Sequence, residues 1–195
     1  LAYNNVTGVT TYTPPDLSGL VLSNTTEVAI GSSATAGLEA VSIGKNAGDS
    51  GDYSQAIGNN AGNTGQGVAA VALGSQSGET SQGNKAVAVG QYAGQTSQGA
   101  DATAIGAGAG KTSQGANALA IGAFAGVDNQ GSNSVAIGNE AGETTQGNTA
   151  TAVGNRAGET NQGEDATAIG AGAGVTNQGA NALAIGVGAG TTNQA

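Results

Sequence analysis

Nine aliphatic residues set the terms for this chain: Ile57, Leu73, Val89, Ile105, Ile121, Ile137, Val153, Ile169 and Ile185, each number exceeding the one before by 16 without exception. A fixed period of this length is the signature of a solenoid, in which each repeat forms one coil stacked on the next. From Ala70 to Ala195 the repeat reads approximately A-[VTL]-A-[ILV]-G-x-x-A-G-x-T-x-Q-G-x-x. Glycine follows every marker, and alanine precedes it from Ala72 to Ala184. A second column is glutamine: Gln66, Gln82, Gln98, Gln114, Gln130, Gln146, Gln162, Gln178 and Gln194. Such columns imply a fold that brings equivalent positions into register. The decapeptide DATAIGAGAG, at Asp101 to Gly110, returns at Asp165 to Gly174. The offset, 165 − 101 = 64 = 4 × 16, points to duplication of a four-coil block.

Each repeat carries glycine at three positions, and each would cost about 1 kcal/mol relative to alanine inside a helix, so a helical solenoid is disfavoured. The chain has 37 Gly, but they do not fall at every third residue and there are only 2 Pro, which excludes collagen. Strict apolar periodicity separates it from disordered low-complexity sequence. The reading is therefore all-β, a parallel β-roll or β-solenoid of 16-residue coils. Residues 1–27 lack the repeat and read as a hairpin and linker cap, with Asn4-Asn5-Val6-Thr7-Gly8 as the turn and Pro14-Pro15 as a rigid stop. The solenoid domain is 28–195. Its first coils are shorter, because the spacing of the markers Ile30, Ile43 and Ile57 is 43 − 30 = 13 and then 57 − 43 = 14.

In Ala118-Leu119-Ala120-Ile121, strand alternation places Leu119 and Ile121 on one face and the alanines on the other. Both faces are apolar, yet a slender coil has a single interior. The second face then requires a partner, and another copy of the chain is the simplest one, giving a homo-oligomer. Glycines turn the corners, and a second short strand carries the T-x-Q segment. Stacking at about 4.8 Å gives nine coils a length of roughly 40 Å. The glutamine columns are suited to amide ladders along the rod. Tyr92, Phe124, Glu140 and Arg156, each three places after a marker, are expected in solvent and are the candidate receptor-binding positions.

Chemistry is sparsely encoded. With no His and no Cys, the commonest general bases, nucleophiles and soft-metal ligands are missing, and neither a catalytic site, a cofactor site nor a metal site is expected. Gly106 to Thr112 (GAGAGKT) imitates a phosphate loop, but position 105 is isoleucine where that motif needs glycine, and the Lys111 column otherwise holds Glu, Gln and Val. The G-G-x-G-x-D repeats of calcium rolls are lacking. Glu164-Asp165 reads as a solvated pair. Paired carboxylates for glycoside hydrolysis do not recur in any column. A net charge of −9 disfavours nucleic acid and anionic membrane partners, and the lack of any long apolar run argues against membrane insertion. Lacking an initiator Met and a signal peptide, the sequence reads as a segment of a longer protein. The column Thr64, Thr80, Thr96, Thr112, Thr144, Thr160, Thr176 and Thr192 is reminiscent of ice-binding ladders, although the residue two places on is Gln and threonine suits any strand.

The [SA]-[VTL]-A-[IV]-G core, as in Ser134-Val135-Ala136-Ile137-Gly138, resembles the head repeat of trimeric autotransporter adhesins. That resemblance implies a left-handed parallel β-roll, intertwined as a homotrimer. The family's usual repeat is the shorter one, of the length that separates Ile43 from Ile57. The longer form that fills the rest of the chain is similar to arrays in fibre proteins of phages and large viruses. The N-terminal L-x-Y-N-N-x-T-G-x-x-T-Y-T-P-P stretch resembles modules of marine phage tail fibres. The resemblance implies a structural fibre segment at the virion surface, supporting host attachment with other fibre proteins and a cell-surface receptor as partners. The alternative is the head of a bacterial surface adhesin, and a lesser one an ice-binding solenoid.

Overall fold

The computed structural model describes residues 2–3, 10–11, 20–22, 27–48 and 51–194, with side chains over 27–48 and 51–194. Its core is a parallel β-solenoid of about ten turns, most of them of about 16 residues. One sheet runs the length of the rod and a second joins it from Thr64 onward. One is the aliphatic sheet, with strands centred on the residue before each marker: β4 (Val28–Ile30), β5 (Val41–Ile43), β6 (Gln55–Ile57), β8 (Val71–Leu73) and so on to Leu183–Ile185. The other is the amide sheet of T-x-Q strands, from β7 (Thr64–Gln66) to Thr192–Gln194. Registers follow the sequence columns: Ala88 pairs with Ala72 and Ala104, and Gln98 with Gln82 and Gln114. The shorter first coils keep marker on marker, Ile30 with Ile43 and Ile43 with Ile57.

The N-terminal strands β1 (Ala2–Tyr3) and β2 (Thr10–Thr11) pair antiparallel, Ala2 with Thr11. The hairpin turn expected at Asn4 to Gly8 and the Pro14-Pro15 stop lie outside the described residues. A third strand, β3 (Leu20–Leu22), falls within the stretch read from sequence as linker, and it runs antiparallel against β4. It makes the aliphatic sheet 12-stranded and covers the edge of β4, which would otherwise present unpaired N–H and C=O groups.

Which residues face inward is decided by volume. The interior is a column of alanine against a column of alanine, Ala88, Ala104, Ala120, Ala136 and onward to Ala184 from one wall and Ala93, Ala109, Ala125, Ala141 and onward to Ala173 from the corner beside it, all at 0–1% exposure. The aliphatic markers face out. Ile57, Ile105 and Ile169 are each 39% exposed. The room opposite each interior alanine is taken by a corner glycine and an inward glutamine, a Cβ at Gly94 falling 3.2 Å from Ala88 Cβ, which leaves space for a methyl group but none for a branched aliphatic side chain. At three of the four places where serine replaces an interior alanine the hydroxyl closes on its own turn: Ser54 Oγ donates to Gly51 O (2.5 Å), Ser77 Oγ to Gly74 O (2.9 Å) and Ser134 Oγ to Gly131 O (2.6 Å), whereas Ser42 Oγ is buried without a partner.

Three glycine columns are demanded by space. A Cβ at Gly90 (φ 128°) would lie 2.6 Å from Gly106 O in the next coil, one at Gly99 2.5 Å from Ala116 N, and one at Gly94 (φ 51°) 2.7 Å from Gln98 Oε1. Left-handed backbone is also imposed on ordinary residues. Lys85, Tyr92, Phe124, Thr145, Thr149 and Arg156 all have φ between 56° and 60°, a conformation that costs of the order of 1–3 kcal/mol outside glycine. The compensation is geometric. This φ turns the N–H along the rod axis, so that Tyr92 N donates to Ser75 O (3.0 Å), Phe124 N to Ala107 O (2.9 Å) and Lys85 N to Val68 O (2.9 Å).

Candidate functional site

The solenoid presents three chemically distinct regions: an internal amide ladder, a ridge of variable residues at one corner, and the outer surface of the aliphatic sheet. Each glutamine of the T-x-Q strands turns its side chain into the rod, against Thr96 and its equivalents, which face out. Gln98, 2% exposed, is representative. Its Nε2 donates across the interior to Val87 O (2.9 Å), to Ala102 O (3.4 Å) and up the stack to Gln114 Oε1 (3.1 Å). Its own Oε1 accepts from Gln82 Nε2 at 3.1 Å. The pattern runs in one direction from Gln66 to Gln178, so each amide from Gln82 to Gln162 is both donor and acceptor within the column. The expected ladder is present, and it is internal. At its start Gln66 Oε1 is buried without a partner, because the preceding shorter coils supply no glutamine.

The corner ridge holds the candidate receptor-binding residues. Tyr92 is 36% and Phe124 48% exposed. Glu140 is half-buried and Arg156 exposed. The two aromatics are separated by Gly108, and the Phe124 ring lies over that glycine, with Cδ1 3.0 Å from where a Cβ would stand. Lys111 Nζ sits 5.6 Å from the centre of the Tyr92 ring, a cation–π distance. Further along, Arg156 forms a bidentate pair with Glu159 (Nε to Oε2 2.6 Å, Nη2 to Oε1 3.1 Å) and approaches Glu140 at 3.7 Å. Glu143, beside them, has its pKa raised by partial desolvation and by the carboxylates of Glu140, Glu159 and Asp128. The structure thus places all four expected residues on one ridge, in two separate clusters, one aromatic and one charged.

Sequence reasoning identified the outer aliphatic surface only as one of two candidate faces. Eleven parallel strands contribute two outward positions each. Eighteen of these 22 positions are Val, Leu or Ile, and the others are Gln55, Thr103, Thr151 and Thr167. None is charged, although the chain carries 13 acidic and 4 basic side chains. At about 4.8 Å per strand the surface forms an apolar stripe roughly 50 Å long.

Among the described residues, no group of three or more His, Cys, Asp or Glu is arranged to hold a metal ion, and no helix is long and apolar enough to cross a membrane. Comparison with protein-family models, with curated proteins and with solved structures finds no match.

Proposed function

We propose that this chain is a structural fibre segment of a virus or phage tail fibre or appendage, assembled from three copies that turn their aliphatic sheets toward a common axis. The observation that carries the reading is the uncharged stripe of half-exposed Val, Leu and Ile on every coil from Val28 to Ile185. Contiguous apolar surface of this extent marks an interaction site. In a chain with net charge −9, this is the face on which two copies can approach without like-charge repulsion. Equivalent positions on neighbouring copies then meet level by level, as a closed symmetric assembly requires. The coils are left-handed, as the resemblance to autotransporter heads implies. The rod works at the virion surface, holding an attachment tip away from the particle, with adjoining fibre proteins and a host receptor as partners.

Light scattering on the purified chain tests this directly. A mass three times 18.2 kDa is the expected result, and a stable monomer overturns the trimer. A second reading, the head of a bacterial surface adhesin that binds along its own shaft, is favoured by the exposed Tyr92 and Phe124 on the corner ridge. Neighbouring genes separate the two: capsid or baseplate genes for the fibre, a C-terminal membrane-anchor barrel in the full-length protein for the adhesin. The ice-binding reading weakens on geometry, since Thr96 and its equivalents face out while Gln98 and its equivalents turn in, leaving one threonine row where two are needed. Thermal hysteresis of the purified rod would restore it.

A further inference from the structure

Near-identical coils create a problem for self-association. If every coil offers the same surface, two copies displaced by one coil lose only the overhanging end, and nothing selects one alignment. We infer that Gln55, Thr103, Thr151 and Thr167, the four polar residues within the aliphatic stripe, fix the axial alignment of neighbouring copies. The inference rests on the self-associating face proposed above.

Three observations support it. The four residues occupy the first position of their strands on the outer surface, where the other coils carry Val or Leu. Among the described residues, their side chains have no hydrogen-bond partner in their own chain, so their amide and hydroxyl groups are available to another copy. Their spacing is irregular: 103 − 55 = 48, 151 − 103 = 48 and 167 − 151 = 16, which is three coils, three coils and one.

That irregularity is what gives the set its discriminating power. A displacement of one coil superposes only Thr151 on Thr167. A displacement of three coils brings Gln55 to Thr103 and Thr103 to Thr151, and abandons three coils of contact. A displacement of four coils matches only Thr103 with Thr167. Zero displacement alone sets all four against their own equivalents, amide on amide and hydroxyl on hydroxyl. In every other alignment a polar group is desolvated against Val, Leu or Ile with nothing to bond to, which is unfavourable. A lone polar residue in an apolar seam specifies register in coiled coils by the same penalty on wrong alignments.

The absence of cysteine allows a single spin label to be placed at Ala100→Cys, an exposed position away from the stripe. Dipolar distance measurement between copies is expected to give one narrow distance in this background. Adding Gln55→Leu, Thr103→Val, Thr151→Val and Thr167→Val is expected to preserve the assembled mass while splitting that distance into several, corresponding to offsets in steps of about 4.8 Å. The conservative set Gln55→Asn, Thr103→Ser, Thr151→Ser and Thr167→Ser retains the polar groups, and is expected to keep the single distance even if the apolar set folds poorly. A single narrow distance in the folded apolar set, or several distances in the Ala100→Cys background, overturns the assignment while leaving the assembly in place. Monomers in the Ala100→Cys background overturn the association itself, and this inference with it.

Discussion

The two surfaces of the aliphatic sheet belong to the same strands yet follow opposite rules. On the inner surface the column from Ala72 to Ala184 is sealed at 0–1% exposure by side chains of one carbon. On the outer surface Ile105 and Ile169 remain 39% exposed, although each could bury far more apolar area. In most domains the larger aliphatic residue is the one inside. Here the corner glycines and inward glutamines leave no room for it, so burial of alanine contributes only a fraction of the roughly 1.5–3 kcal/mol that a core Leu or Ile typically would. Cohesion shifts to the backbone ladders and to the amide column, whose bonds contribute about 0.5–1.5 kcal/mol each. The outer surface is left with unburied hydrophobic area, and that is why the fibre reading looks to other copies for its partner.

The sharpest way to break this contrast is to put a large side chain inside. Ala120→Phe has no space against Ala104, Ala136 and Ala125, and is expected to destabilise the coil by more than about 3 kcal/mol, beyond the usual range for overpacking. Thermal melting followed by circular dichroism would read it, and a wild-type midpoint would refute the inward placement of alanine. Next in size is Gln114→Leu. It removes the donor to Thr103 O (2.9 Å) and to Gln130 Oε1 (3.1 Å), leaving that buried oxygen without a partner, and takes one of three acceptors from Gln98 Nε2. A loss of roughly 2–4 kcal/mol is expected, accompanied by faster amide hydrogen exchange in the coils on either side.

A change on the outer surface is expected to separate folding from association. Ile121→Thr should alter the melting of the dilute chain by less than about 1 kcal/mol, yet lower the assembled mass measured at a given concentration. Equal effects on both would mean that the outer column is part of the intrachain core.

The smallest effect lies at the charged end of the corner ridge. Glu143 binds its proton more tightly in the folded chain, because of desolvation and the nearby carboxylates of Glu140, Glu159 and Asp128. The folded state therefore holds more protons than the unfolded one near the carboxylate range, and this group's contribution to stability falls as pH rises. Above the raised pKa the full penalty is present; below the ordinary value it is gone. Glu143→Gln is expected to stabilise slightly at neutral pH and to have little effect in acid, checked by melting at both.

Much of this architecture was legible in the sequence, because a strict 16-residue period leaves few alternatives. The strands at Leu119–Ile121 and Thr112–Gln114, the corner glycines and the glutamine ladder all follow from it. The direction each strand face points did not follow. Ala120 and Ile121 are both apolar, and only the room left inside by the corner glycines and the inward glutamines, a tertiary quantity, sends one in and the other out. The left-handed corners at Lys85, Tyr92 and Thr149 were also hidden, since the sequence there carries no glycine to mark them and the favourable term is a bond to the coil below. Strand β3 was missed for a related reason. Leu20-Val21-Leu22 acquires its partner from β4, whose edge is created only once the solenoid is built.

The one-way glutamine column has a further consequence for how such a rod comes by its length. Every amide from Gln66 to Gln162 offers its N–H to the same kind of acceptor one storey up, so within the long array any storey can follow any other. Removing or adding a whole repeat unit inside the long array leaves no severed bond. Extent then becomes a quantity that duplication can adjust in increments of about 4.8 Å. The paired DATAIGAGAG segments, four storeys apart, are what that mode of growth leaves behind.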